Sequence, residues 1–195
     1  MSQVSLVPIL LWAAALACAG IAVWRGPRPI DSNFVVDRLL RYLFVFPLGL
    51  QGLWAFVGHV LFAEESAAAI GWARSPFQYE VGAANLGLGL ASLYATFKGF
   101  EARVAVGIAA SCFLLGAGIG HIRDIIATDN LAPGNAGPIM VTDFLTPIAV
   151  TVLLYFASEL WRPKSAATLA LEAELENARK AMRSYRDALS QLGRE

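Results

Sequence analysis

His59 and His121 are the only imidazoles in this 195-residue chain, and both fall inside long apolar stretches. Two carboxylates, Glu80 and Asp143, do the same. Ionisable side chains within a bilayer are costly, which makes them functional candidates by default. Their spacing from basic residues is nearly uniform. His59 follows Arg41 by 18 residues, Glu80 precedes Lys98 by 18, His121 follows Arg103 by 18, and Asp143 precedes Arg162 by 19. At a helical rise of about 1.5 Å per residue, each lies roughly 27–29 Å from a shared basic boundary. Two imidazoles and two acids, one from each of four successive helices, are thereby expected at one level near the outer membrane face.

Such a set has the chemistry of a metal site. Imidazole and carboxylate suit Zn, Fe, Mn or Cu, and helical bundles hold such ions between facing helices. Asp124 joins the set because it follows His121 by three residues and so shares its helix face. The expected ligands are therefore His59, Glu80, His121, Asp143 and Asp124. The match to di-iron bundles is incomplete, since no Glu-x-x-His occurs and His121-x-x-Asp124 is only a reversed relative. A pocket for a small polar ligand, or interhelical hydrogen bonding alone, accounts for the same residues. A proton pathway ranks last, because spans two to four hold almost no acids below this level. Walker, dinucleotide, haem-attachment and His-Glu-x-x-His motifs are all missing.

The elements that must carry these residues follow from composition. The chain is 57% hydrophobic and 15% charged, with no net charge, and its mean hydropathy is +0.57. That charge content is well below the usual ~25% of soluble domains, and neutrality gives no electrostatic reason for a nucleic-acid partner. Five segments approach the ~20 apolar residues a spanning helix needs: Val4–Trp24, Leu39–Ala63, Phe77–Phe97, Val104–Ile126 and Ile139–Trp161. The fold class is therefore all-α, an integral membrane bundle over residues 1–163. Arg and Lys concentrate after spans one, three and five, which places the N-terminus outside and the C-terminus in the cytoplasm of a bacterial inner membrane. Cys18 and Cys112 read as small buried hydrophobes. Ser75, Pro76 and Gln78 read as a capping box opening the third span, and glycines 82, 87, 89, 116, 118 and 120 as points of close helix approach that bring His121 towards Glu80.

Residues 164–195 differ in kind. Leu171, Leu175, Ala178, Met182, Tyr185, Leu189 and Leu192 alternate in steps of four and three, an a/d seam lasting three heptads. This amphipathic cytoplasmic helix could fold back on the bundle, lie on the membrane, or join protomers as a coiled coil. A homo-oligomer, or a larger membrane assembly in which the chain is a non-catalytic subunit, would form through Leu171, Leu175, Met182 and Leu189.

Three segments carry a resemblance: GHVLFAEESAAAIGWARSPFQYEVGAANLGLG, GAGIGHIRD and NLAPGNAGPIMVTDFLTP. They resemble a family of small prokaryotic membrane proteins known only as a domain of unknown function, and are more distantly similar to DoxX-type four-helix bundles. Covering roughly residues 40–160, the resemblance implies a compact bundle with an added first helix and tail. It implies no activity, cofactor or substrate.

Overall fold

The computed structural model describes residues 3–158 and 166–192. The chain forms two compact units, residues 1–158 and 159–195. Among the described residues the fold is all-α, with seven helices: α1 Gln3–Trp24, α2 Ser32–Leu61, α3 Ala63–Ile70, α4 Phe77–Thr96, α5 Phe100–Thr128, α6 Pro138–Ala157 and α7 Ala166–Leu192. Helices α1, α2, α5 and α6 are long and apolar enough to cross a membrane. Their outward faces confirm the solvent they suit. On α6, Val141, Leu145, Ile148 and Val152 form an exposed stripe, and α5 exposes Ile108, Ile119 and Ile126. Water would not tolerate such stripes over whole helices, whereas lipid does.

Of the five spans expected, four are helices that meet the length and apolarity of a membrane crossing. The third segment does form a 20-residue helix, α4, but Gln78, Glu80, Asn85 and its glycines dilute its apolarity. It nevertheless packs along α2. A Cβ at Gly82 would meet Val60 and His59, one at Gly52 would meet Asn85 and Gly89, and one at Gly49 would meet Leu93. Residue numbers fall along α2 as they rise along α4, so the two helices run antiparallel over this length.

Local chemistry sets the other boundaries. Helix α2 starts two turns earlier than expected because Asp31 caps it, accepting from the Asn33 amide at 3.3 Å. Pro47 lacks the amide that α-helical bonding needs, and the helix widens to a π-type segment over Phe44–Leu50. Gly71, at φ 81°, supplies the left-handed residue that ends α3. The expected capping box at Ser75 does not form. Helix α4 begins at Phe77 without a side-chain cap, because Gln78 is engaged elsewhere. Trp161, expected to end the last span, and the basic residues Arg162 and Lys164 lie outside the described residues.

Leu40, Leu43, Phe44, Ala95, Ala110 and Val150 form the packed centre of the bundle. In lipid, where burial gains no hydrophobic free energy, van der Waals fit and interhelical hydrogen bonds hold such helices together. Trp12 Nε1 donates to Thr146 Oγ1 at 3.1 Å and ties α1 to α6. Arg103 is buried at the start of α5. Its Nη1 donates to Asp37 at 2.8 Å, Nη2 to the Thr96 carbonyl at 3.2 Å, and Nε to the Ala95 carbonyl at 3.4 Å.

Candidate functional site

A chamber of about 610 Å³ lies among α2, α3, α4, α5 and α6. Helix α4 contributes one face, with Val81, Asn85, Leu88 and Ser92 spaced by three and four residues. Leu48, Trp54, Ile70, Phe113 and Leu114 keep the walls largely apolar. Wall residues Val81 on α4 and Cys112 and Gly116 on α5 are also exposed, which puts the opening between these helices. Cys112 lies nine residues beyond Arg103, or about 14 Å along α5. Cys112 is thus a free, exposed thiol and not the buried hydrophobe expected, while Cys18 is half-buried and also free.

Gly116 and Gly120 were expected to bring helices together. A Cβ at either position would meet nothing within 4 Å. Both line the chamber, so the absence of side chains leaves volume for the cavity. Gly118, on the opposite face, is the packing glycine: its Cβ would strike the Phe144 ring at 2.7 Å.

Of the residues expected to converge, His59, His121 and Asp143 line the chamber and Glu80 and Asp124 do not. Glu80 lies in the first turn of α4 and is exposed. Its exposure leaves it outside the chamber that His121 lines. Asp124 accepts from Trp72 Nε1 at 2.8 Å and from Asn130 Nδ2 at 2.6 Å. Those bonds tie this α5 carboxylate to the segments that carry Trp72 and Asn130. Among the described residues, no group of three or more His, Cys, Asp or Glu side chains is placed to hold a metal ion.

His121 is the best-defined member. Its side chain is buried, its Nδ1 lies 2.6 Å from Asn135 Oδ1, and its Nε2 faces Asp143 Oδ2 at 3.7 Å. Trp72 stacks on the ring, with centroids 5.9 Å apart. The segment between α5 and α6 roofs this end. Asn130 Nδ2 donates to the Ile70 carbonyl at 2.9 Å, Asn135 Nδ2 to the Asn130 carbonyl at 2.8 Å, and the Gly134 amide to the Ala69 carbonyl at 2.9 Å. No side chain fits at Gly134, where a Cβ would lie 2.6 Å from the Ala69 oxygen.

His59 Nδ1 bonds Gln78 Oε1 across α2 and α4, which explains why Gln78 is buried and does not cap its own helix. His59 also lines a second cavity of about 340 Å³, bounded by Arg74, Ser75 and Tyr79. Deeper in the large chamber, Gln51 is 9% exposed and its Oε1 has no hydrogen-bond partner. Buried amide oxygens are rarely left unpaired. Gln51, Trp72 and Asn135 were not singled out as site residues, because attention to ionisable groups passes over amides and indoles. Gln51 was nonetheless detectable as the one strongly polar residue between Arg41 and His59.

No curated protein and no solved structure matches the chain. The family of unknown function DUF6790 matches residues 5–163, a range that takes in every helix lining the chamber and stops short of α7. The chain therefore belongs to DUF6790, as a membrane protein built on four apolar helices.

Proposed function

We propose that this protein binds a small lipid-soluble molecule in the chamber, with an apolar body against the helices and a polar group at the His121 end. One observation carries the reading: a 610 Å³ cavity with mostly apolar walls contains a buried, unpartnered acceptor, Gln51 Oε1. Cavities of roughly 300–1,000 Å³ with few polar groups are the usual form of small-molecule sites. An opening between two helices of the bundle favours ligands that arrive through lipid. The metal reading lacks the third ligand it needs, since His121 and Asp143 stand together while Glu80 and Asp124 lie outside the chamber.

The test uses the empty space at Gly116 and Gly120. Leucine at both positions fills the chamber without striking the protein at Cβ. Organic extracts of the purified wild type should contain an apolar molecule in near-equal amount to protein, and extracts of the double variant should lack it. Equal extracts from the two proteins, both with intact helical circular dichroism, would reject the reading.

In this reading α4 is a fifth crossing, since it runs beside α2 for most of its length. Five crossings would place the N-terminus outside and the C-terminus in the cytoplasm, in keeping with the basic loops.

A second reading concerns α7, whose Leu171, Leu175, Met182, Tyr185 and Leu189 are exposed. Taking Leu171 and Leu175 as d and a, Glu174 occupies a g position and Arg179 the following e position. In a parallel pair of identical helices, Glu174 would therefore face Arg179 of the partner subunit. This complementarity favours a second copy of the chain as the occupant of the seam. Arg179→Glu should lower the oligomeric mass measured by light scattering in micelles, and the added Glu174→Arg should restore it. A mass unaffected by either change counts against the coiled coil.

A further inference from the structure

The hydrogen bonds around His121 fix more than its position. Asn135 Nδ2 donates to the Asn130 carbonyl at 2.8 Å, so the amide oxygen is the atom turned towards His121. An oxygen acceptor 2.6 Å from Nδ1 requires that nitrogen to carry a hydrogen. In neutral imidazole, Nε2 then presents a lone pair, and it faces Asp143 Oδ2 at 3.7 Å. The two side chains are 8% and 5% exposed. No hydrogen bond to the Asp143 carboxyl is found among the described residues. A bare carboxylate buried against a lone pair would be an uncompensated charge, which is strongly destabilising. One further proton on the pair removes the conflict, whether it resides on Nε2 or on Oδ2. In both arrangements the pair has no net charge, one hydrogen to donate and one site that accepts.

We infer that His121 and Asp143 form the head-group site of the chamber and that they select a neutral hydroxyl on an apolar body. This rests on the chamber reading above and adds the chemistry of the ligand. A hydroxyl has one hydrogen to give and lone pairs to receive, the complement of what the pair offers. At 3.7 Å the two groups are too far apart for a good direct hydrogen bond, and a hydroxyl oxygen on the chamber side can bridge them. A fixed anion finds no net positive charge here, and a fixed cation finds no net negative charge. Trp72, which also lines the chamber, stacks on the imidazole with ring centroids 5.9 Å apart and restricts its rotation. Along α5 the walls run from Ala110 to His121, about 16 Å, which suits an extended chain lying below its head.

The experiment is photoaffinity labelling of the full chain in lipid nanodiscs, using dodecanol with a mid-chain diazirine. Labelled residues should fall on α4 and α5 at the chamber wall. Unlabelled dodecanol should compete at concentrations about tenfold below dodecanesulfonate or dodecyltrimethylammonium, the value of one good hydrogen bond at ~1.4 kcal/mol. Replacing both His121 and Asp143 with Leu should erase that preference, and thermal melting by circular dichroism checks that the variant is folded. His121→Gln, which retains a donor and an acceptor, provides a second variant and should keep part of the preference. Equal competition by the three probes, with labelling still blocked by Leu at Gly116 and Gly120, overturns the head-group inference and leaves the chamber reading standing. Labelling that ignores the two leucines overturns both.

Discussion

Three glycine-to-alanine substitutions separate packing from cavity along the same helices. At Gly52, an added Cβ would lie 2.8 Å from the Asn85 carbonyl oxygen and 2.9 Å from Gly89 Cα. Both are backbone atoms of α4, so no rotamer change relieves the contact and the helices must part. Overpacking of this kind costs about 1–3 kcal/mol, against roughly 1 kcal/mol gained because alanine is the better helix former. At Gly116 and Gly120 the same methyl group meets nothing within 4 Å. Only the propensity gain applies there, giving a stabilisation of up to about 1 kcal/mol. Propensity cancels when the sites are compared, so Gly52→Ala should be less stable than Gly120→Ala by the overpacking cost itself, about 1–3 kcal/mol. Unfolding by dodecyl sulfate in mixed micelles, followed by far-ultraviolet circular dichroism, measures the difference. Equal destabilisation at Gly52 and Gly120 would mean that Gly120 is a helix contact, and the chamber as described would not exist.

Asp37→Ala leaves the Arg103 guanidinium, 10% exposed, without its carboxylate; a loss of about 1.5–3 kcal/mol is expected, partly recovered when Arg103→Met is added. The same micelle unfolding assay reads both. Asn135→Leu removes the acceptor that fixes His121, and side-chain ¹⁵N spectra should change from an Nδ1–H imidazole to a mixture of tautomers, with a stability loss of about 1–3 kcal/mol. An unchanged spectrum would show that Asn135 does not set the tautomer. Reporter fusions at the two termini should report opposite sides of the membrane, and same-side reporters would exclude α4 as a crossing.

How far the sequence reveals this molecule depends on which coordinate is asked for. Depth is nearly a one-dimensional quantity, given by counting residues from a basic boundary, and His59, His121 and Asp143 do reach one chamber. Rotation about a helix axis is set by partners distant in the chain. That is why Glu80 is exposed outside the chamber, and why Asp124 turns to Trp72 and Asn130. Small-residue spacing is ambiguous for the same reason, since a glycine facing a helix and a glycine facing a void look alike in sequence. Gly118 packs on Phe144 while Gly116 and Gly120 open into space. The polar partners were hidden by their chemistry. Asn135 and Gln78 are neutral amides, and only the contacts they make across 14 and 19 residues give them a role.

The bundle contains two buried polar centres at opposite ends of α5, and their bonding states distinguish their roles. Around Arg103 all three guanidinium nitrogens have partners, supplied by Asp37 and the carbonyls of Ala95 and Thr96. Each of these nitrogens bonds protein, and the bonds run from α5 to α2 and α4, so that centre joins helices. Eighteen residues further on, only one nitrogen of His121 is bonded, the other meets Asp143 across 3.7 Å, and an unpaired Gln51 oxygen lies along the same chamber. Burying polar groups in lipid without partners is unfavourable, and a polar layer that served only to knit helices gains nothing from an open acceptor at Gln51. Bonding capacity left open beside an apolar cavity is therefore the physical argument for a bound molecule. It makes a quantitative demand too: filling the cavity with leucine at Gly116 and Gly120 should stabilise the empty protein while abolishing binding, a combination that damage to a structural core does not produce.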